Sequence, residues 1–393
     1  MNNKPLLIGL ILASLAYGVR IGMRYTYLGP LTNIFTDSAF LITIVLSLGT
    51  FMGIFLLPLI GKRSDRTWTR FGRRRPYLMV SIPLVSIFTS IIPHASSFTI
   101  LIAFVILEAL AGIIGLSPLV SLIPDNFETK ERGRANAIFM LCMGLGGVCA
   151  AGIGYKIWDI NYHLVFYIVA AIIFVFGVTS LFLIKETPFP DNILSGKSQS
   201  IVEYFRNILS DKRVTLYYAG DFFRWFSKSL IIQMVTLFAA NELGVKIGVA
   251  GQAILVFNLL KLISSLPVGT VTDKVNRKQF LLVGTVLLAG SLYYGWCCHS
   301  FVQLSIAMGL FGISASITLI CGSSLLMDLF PKGRAGEFMG MNMVFGCLPT
   351  VLSLWISGAL IDLFGTYRLI FLIGIISTII SFIFTLLIPK QES

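Results

Sequence analysis

Residues 61–76 read GKRSDRTWTRFGRRRP and lie between two long apolar runs of the chain. Seven lysines and arginines fall in this short stretch, together with Asp65. Short cytoplasmic loops of membrane proteins carry such an excess of lysine and arginine between their spanning helices. The stretch therefore predicts a tight cytoplasmic loop that joins two membrane-spanning helices.

The composition of the whole chain extends this interpretation to all 393 residues. Hydrophobic residues make up 56% of the sequence, charged residues only 12%, and the mean hydropathy is +0.87. Soluble proteins carry about twice this share of charged residues. A soluble enzyme, a secreted disulfide scaffold and a disordered chain are therefore excluded, and the sequence predicts an integral membrane protein.

Apolar runs long enough to cross a membrane recur along the chain, since a spanning helix needs about 20 such residues. They predict an all-α membrane protein of twelve transmembrane helices. The predicted spans are 5–29, 40–60, 77–93, 99–122, 135–155, 164–184, 214–240, 248–269, 280–298, 303–326, 337–360 and 367–388.

The basic residues are distributed unevenly between the loops that connect these spans. The net charge is +12, yet the loops predicted on the external side hold only Lys156, Lys246 and Arg368. This asymmetry predicts that both termini are cytoplasmic, and it accounts for the positive charge without a nucleic-acid partner. The short loops and tails suit a prokaryotic plasma membrane, and we expect a monomer embedded in the lipid bilayer.

The basic loop has a second copy later in the chain. Residues 269–278 read GTVTDKVNRK, so both copies contain G-x-x-x-D-[RK] followed by basic residues, and they lie 208 residues apart. Arg-Gly-Arg-Ala at 132–135 and Lys-Gly-Arg-Ala at 332–335 form a second pair in the same order. The pattern indicates an internal repeat of about half the chain.

This repeat predicts two six-helix halves in the same orientation, 1–184 and 214–393. The linker 185–213 contains Pro188, Pro190 and Gly196. We expect a short interfacial helix near 199–210.

The repeated loops are predicted to form a cytoplasmic gate. Their glycines permit close helix approach, and Asp65 can accept hydrogen bonds at a helix N-terminus or from arginines of the neighbouring hairpin. The alternative is that these charges only orient the chain in the membrane. The candidate gate residues are Gly61, Asp65, Arg66, Gly72, Arg73, Arg74, Asp125, Arg134, Gly269, Asp273, Arg277 and Arg334.

The repeated Gly-x-x-x-Asp-[Arg/Lys] loop resembles the signature of the major facilitator superfamily. Residues 64–76, together with Gly133-Arg134-Ala135 and the glycines at 144–147, are similar to the sucrose–proton symporters and the glycoside–pentoside–hexuronide cation symporters. The resemblance implies a transporter in which helices 1, 4, 7 and 10 line a central cavity.

The expected pocket departs from that of the sugar symporters at two places. The symporters carry glutamine or glutamate in helix 1 where this chain has Arg20, and their helix 4 aspartate is one place away from Glu108. Val120 stands where they carry an arginine. The resemblance thus implies that this chain has the cytoplasmic gate of the family but a different substrate site.

Ionisable residues inside the predicted spans each cost roughly 3 kcal/mol at a helix centre. Such residues usually face a bundle interior or an aqueous cavity and mark the path of a substrate. The predicted spans contain seven of them: Arg20, Arg24, Glu108, Asp221, Arg224, Lys228 and Lys261. The five cations exceed the two anions by three charges, which favours an anionic or acid-bearing substrate over a neutral disaccharide.

Arg20 and Arg24 share one face of helix 1, and two guanidinium groups suit a carboxylate or a phosphate. The predicted substrate-binding residues are therefore Arg20, Arg24, Arg224, Trp225, Lys228 and Lys261. Alternatively, Arg24 lies near the external end and snorkels to the headgroups, and Trp225 serves only in packing.

Glu108 and Asp221 are the predicted proton-coupling residues. Burial and a nearby arginine shift the pKa of a carboxyl group in opposite directions, so its protonation can change when its partners change. The alternatives are a permanent pair between Glu108 and an arginine, and a pair within helix 7 between Asp221 and Arg224.

These observations predict a secondary active transporter, and not an enzyme, that moves a sugar acid, carboxylate or sugar by alternating access. The predicted mode is symport with a proton or another cation. A proton-driven exporter is the first alternative, and a receptor or scaffold that does not transport is the second. The sequence predicts no catalytic residue, metal site or cofactor, since it lacks a nucleotide-binding glycine loop and a metal-ligand pattern.

Overall fold

The computed structural model describes residues 4–127, 129–186, 211–272, 274–329 and 335–389. The interfacial helix predicted near 199–210 lies outside these residues, as does most of the predicted linker.

Twelve long helices form within the described ranges, and they are numbered in chain order. They are α1 (Lys4–Asn33), α2 (Ala39–Asp65), α3 (Arg75–His94), α4 (Phe98–Asn126), α5 (Thr129–Ile157), α6 (Tyr162–Leu183), α7 (Lys212–Leu243), α8 (Ile247–Thr272), α9 (Arg277–Trp296), α10 (Phe301–Leu329), α11 (Ala335–Phe364) and α12 (Leu369–Leu387). Each predicted span coincides with one helix to within a few residues, so the predicted all-α fold is confirmed.

Eleven of these helices contain segments that are long and apolar enough to cross a membrane. The remaining helix, α7, has 32 residues and is less apolar, because it carries Asp221, Arg224 and Lys228. Most of its middle residues are nevertheless buried against other helices. Its polar side chains are therefore enclosed by the bundle instead of facing lipid.

The same helix pairs occur in both halves of the bundle. In the first half, α1 packs against α5 and α6, α3 packs against α4 and α6, and α2 packs against α4. In the second half, α7 packs against α11 and α12, α9 against α10 and α12, and α8 against α10. The sequence repeat thus corresponds to a repeat of helix packing.

The two halves meet along two extensive seams, α2 with α11 and α5 with α8. We call the end of the bundle that carries 61–75 the basic end, and the opposite end, with 34–38 and 158–161, the distal end. Near the distal end, Trp355 of α11 donates a 2.8 Å hydrogen bond to Ser47 of α2. The α2–α11 seam is therefore closed at this depth.

Three helices differ locally from the predicted spans. The helix α2 continues through Gly61 to Asp65, so these two residues belong to a helix and not to the predicted loop. The helix α4 continues to Asn126 and includes two prolines. The helix α1 contains a π-helical segment at Arg24–Leu28, a feature that often occurs at functional sites.

Candidate functional site

A buried cluster of charges joins α1 to α4 in the first half. Arg20 donates from Nε to Oε1 of Glu108 over 2.5 Å, and Arg24 donates from Nη1 to Oε2 of the same carboxylate. Glu108 is fully buried and Arg20 nearly so. The spacing of four residues places both guanidinium groups on one face of α1, where they hold a single carboxylate between them.

Two glycines make room for these guanidinium groups. A Cβ atom at Gly112, one turn after Glu108, would lie 2.1 Å from Nη2 of Arg20. A Cβ atom at Gly49 of α2 would lie 2.8 Å from Nη2 of Arg24. The cluster therefore depends on positions without a side chain on two neighbouring helices.

The cluster carries a net positive charge, because one carboxylate faces two guanidinium groups. Arg24 is only 11% exposed at its side chain and binds Glu108. The structure thus differs from the alternative in which Arg24 snorkels to the headgroups, since a buried carboxylate offers the guanidinium a stronger partner.

Arg224 of α7 is enclosed by partners of its own. It donates to Oδ1 of Asp221 over 3.2 Å and 3.3 Å, and to Thr385 and Ser381 of α12 over 2.8 Å and 3.2 Å. Its guanidinium also lies over the ring of Tyr217. This arrangement corresponds to the alternative of a pair within helix 7, and it leaves Arg224 directed at α12.

Lys228 and Lys261 differ from the arginines, because neither has a carboxylate partner in the described part of the chain. Lys228 is buried, with its Nζ 4.6 Å from the ring centre of Trp225. Lys261 is half-buried, with its Nζ 5.7 Å from the ring centre of Phe257. The two lysines lie near enough to repel one another, and Asp221 of α7 lies near enough to offset part of the charge of Lys228. With Arg224 close by as well, the charges in this region of α7 and α8 are positive on balance.

The basic end of the first half holds a network of ion pairs. Asp65 accepts from Arg73 over 2.7 Å and from Arg74 over 2.5 Å, and Arg74 also donates to Asp125 over 2.8 Å. The arginines of the neighbouring hairpin are therefore the partners of Asp65, and a helix N-terminus is not. The network ties α2 to α3 and α4 within one half.

A residue that the sequence analysis missed completes this network. The carboxylate of Glu186, just after α6, accepts from the backbone N–H groups of Arg73, Arg74 and Arg75 over 2.6 to 3.0 Å. Gly72 precedes them with a φ of 110°, a backbone conformation that favours glycine. The only signal in the sequence was an acidic residue beside a loop rich in arginine.

The gate residues of the second half are only partly described. Arg277 donates to Asp328 over 2.5 Å, whereas Asp273 and Arg334 lie outside the described residues. In the described part of the chain, no other helix comes within 4 Å of the position that a Cβ atom at Gly269 would take. The close helix approach predicted there is therefore not seen among these residues.

Other predicted gate residues have different surroundings. A Cβ atom at Gly61 would lie 3.0 Å from Oγ of Ser117, so α2 and α4 do approach closely at this position. Arg66 and Arg134 are exposed at the basic end. Among the described residues, no group of three or more histidine, cysteine, aspartate or glutamate side chains is arranged to hold a metal ion.

Several partners of the predicted residues escaped the sequence analysis. Gly112 and Gly49 are two of them, because a glycine in an apolar helix gives no sign of what it faces. Ser381 and Thr385 are spaced four residues apart on α12, and that polar stripe was a signal that could have indicated a partner for Arg224.

The sequence matches the family model of the Major Facilitator Superfamily over residues 6–225 and 217–393. Sucrose transport protein SUC4 of Arabidopsis thaliana is 27% identical over 167 residues, which are 37% of this chain and 33% of that protein. The chain thus spans about a third of the length of that relative. Multidrug resistance protein MdtH of Proteus mirabilis is 23% identical over 281 residues, 70% of this chain and 68% of that protein.

The fold is similar to that of solved transporters. The crystal structure of the nucleoside transporter NupG is similar to this structure with a TM-score of 0.78 at 14% sequence identity. The match covers 98% of this chain and 100% of the NupG chain. A bacterial homolog of the human lysosomal transporter Spinster has a TM-score of 0.76 at 15% identity. With two family matches that together cover nearly the whole chain and a shared fold, this protein belongs to the Major Facilitator Superfamily and is a multi-pass membrane transporter.

Proposed function

We propose that this transporter moves a small acid-bearing solute, a sugar acid or a small carboxylate, by alternating access. The halves 1–184 and 214–393 would rock about a central site, as parallel repeats do, with 185–213 as their linker. The proposed location is a prokaryotic plasma membrane with both termini in the cytoplasm and the chain as a monomer.

The observation that supports an acidic substrate is the charge of Lys228 and Lys261. A buried cation without a partner is costly, and the cost is recovered when an anion binds. Trp225, whose ring contacts Lys228, is suited to stack on the apolar face of a bound sugar. Because Arg224 is occupied by Asp221 and α12, we do not include it in the proposed site.

We further propose that Glu108 couples transport to a proton. As long as Glu108 is ionised, its two oxygens are held by Arg20 and Arg24. Protonation of Glu108 would release both guanidinium groups for the carboxylate of a substrate. Proton and acid would then move together, which is symport. Asp221 is the second candidate for this role.

A thermal-shift panel on the purified protein tests the substrate class. It compares neutral mono- and disaccharides with glucuronate, small dicarboxylates and inorganic phosphate. A ligand at about 100 times its dissociation constant stabilises a protein by about 2.7 kcal/mol. We expect an acid to raise the melting temperature, and the shift to shrink strongly in Lys228→Gln, Lys261→Gln and Arg20→Gln.

The matched control is Lys246→Gln, which removes the same charge from an exposed position of the distal end. It should leave the ligand-induced shift unchanged. If only neutral sugars raise the melting temperature, the proposed substrate class is wrong and Arg20 serves only as a partner of Glu108.

A proton-driven exporter is the second candidate function, and the similarity to MdtH over 70% of the chain favours it. The direction of flux separates the two candidates. In proteoliposomes with an inward proton gradient, a symporter accumulates the acid inside, whereas an antiporter drives it out. A receptor or scaffold, the third candidate, would move no solute in either direction.

A further inference from the structure

An aspartate of the second half caps a helix of the first half at the distal end. Asp362, near the end of α11, accepts from the backbone N–H of Ala39 over 2.6 Å and from that of Phe40 over 3.1 Å. The Oγ of Ser38 donates to the same carboxylate over 2.6 Å. These N–H groups begin α2 and have no acceptor within their own helix.

An aspartate of the first half makes the reciprocal contact. Asp159 lies two residues after the end of α5 and accepts from the backbone N–H of Gly248 over 3.1 Å. Gly248 is the second residue of α8 in the other half. Each half therefore presents one carboxylate to the start of a helix in its partner half.

The sequence repeat relates the two contacts. The offset of 208 residues that aligns Gly61 with Gly269 also aligns Phe40 with Gly248. That offset does not align the acceptors, because Asp159 and Asp362 lie 203 residues apart, but both lie at the distal ends of corresponding helices, α5 and α11. The two contacts therefore correspond in the helices that they join and in the position of the donor.

Each contact requires a glycine. A Cβ atom at Gly248 would lie 2.5 Å from Oδ2 of Asp159. A Cβ atom at Gly358, one turn before Asp362, would lie 2.2 Å from Oγ1 of Thr43 and 2.8 Å from the Cα of Phe40. Without these glycines the helices could not come close enough for the aspartates to reach their donors.

We infer that Asp362 and Asp159 are a matched pair of gate residues that hold the distal end of the transporter closed. The free N–H groups and the positive end of the helix dipole attract each carboxylate. Both aspartates are exposed, so water can replace them when the halves separate. The inference rests on alternating access and not on the substrate, so it can fail independently of the proposed acid specificity.

Double electron–electron resonance between spin labels at Leu41 and Leu363 tests this inference. Both side chains are exposed, and they lie on the two sides of the α2–α11 seam. The labels are attached through Leu41→Cys and Leu363→Cys in the full chain, with the native cysteines replaced by alanine. We expect Asp362→Asn to raise the population of long distances about threefold.

The decisive variant is Asp159→Asn, because Asp159 touches neither labelled helix. If both contacts hold one closed state, loss of the Asp159 contact raises the same long-distance population. The double variant with Asp159→Asn and Asp362→Asn raises it further. Gly248→Ala displaces Asp159 without changing any charge and should act in the same direction. It also provides a second measurement if Asp159→Asn folds poorly.

Asp37→Asn is the matched control, since it removes a negative charge from the same end of the molecule. It should leave the distances unchanged. The inference is overturned if Asp159→Asn and Gly248→Ala both leave the distances as in the parent chain, or if Asp37→Asn has the same effect as Asp362→Asn.

Discussion

The guanidinium group of Arg20 occupies the space that a side chain at Gly112 would fill. A Cβ atom at that glycine would lie 2.1 Å from Nη2 and 2.2 Å from Cζ of Arg20. Glu108, the partner of the arginine, lies one helical turn earlier on the same helix. The absence of a side chain at Gly112 is therefore a condition for the buried ion pair.

Gly112→Ala is expected to destabilise the protein by about 2 kcal/mol, as overpacking of a filled interior does. The added methyl group would displace Arg20 and weaken its bond to Glu108. Thermal unfolding in detergent measures the effect. Gly290→Ala is the control, because no other element of the described chain comes within 4 Å of the position that its Cβ would take, and it should be neutral or slightly stabilising. An unchanged melting temperature for Gly112→Ala would contradict the packing described here.

Glu108→Gln is expected to abolish accumulation of substrate driven by a pH gradient while counterflow exchange persists. The amide cannot release and rebind a proton, but the transporter can still bind its substrate and alternate between its two conformations. Uptake and counterflow in proteoliposomes measure the two activities separately. Asp221→Asn provides the comparison, because it tests the second candidate in the same assay. Accumulation by Glu108→Gln at the parent level would show that the proton is carried elsewhere.

Lys228→Gln is expected to raise the melting temperature of the protein without ligand, because it removes a buried charge that forms no ion pair with any of the described residues. The free energy of unfolding should rise by about 1 kcal/mol or more, because unpaired charges are costly in the protein interior. Lys246→Gln removes an exposed charge and should change the stability by less than about 0.5 kcal/mol. A lower melting temperature for Lys228→Gln would mean that an anion already compensates this lysine.

Tyr367, in the loop before α12, gives the stability of the protein a dependence on alkaline pH. Burial, with added repulsion from Asp362, Asp37 and Glu242, raises the pKa of Tyr367 to about 12. The folded state therefore favours the neutral phenol, and this contribution is complete below about pH 10 and lost as the pH rises toward 12. Melting temperatures between pH 9 and 11 should fall less in Tyr367→Phe than in the parent chain. Tyr293→Phe, at an exposed position, should behave as the parent does.

The class of the protein and the position of its helices could be predicted from the local pattern of apolar residues. A span needs about 20 apolar residues, and that requirement can be recognised locally, so all twelve helices were predicted within a few residues. The charges within the spans could also be recognised, because charged residues stand out in an apolar segment. The offset between the basic loops also predicted two halves, and helices at corresponding positions along the chain contact corresponding neighbours.

Which of these charges meet depends on how the helices pack in the folded bundle. The sequence presented five cations and two anions, but it did not indicate that Glu108 binds two arginines or that Arg224 turns to Ser381 and Thr385. Nor did it indicate that Lys228 and Lys261 form no ion pair in the part of the chain that the structure describes. These pairings depend on which helix faces stand opposite one another and on glycines that leave room between them. Such contacts join residues far apart in the chain, and the apolar pattern that places a helix in the membrane does not encode its rotation toward a neighbour.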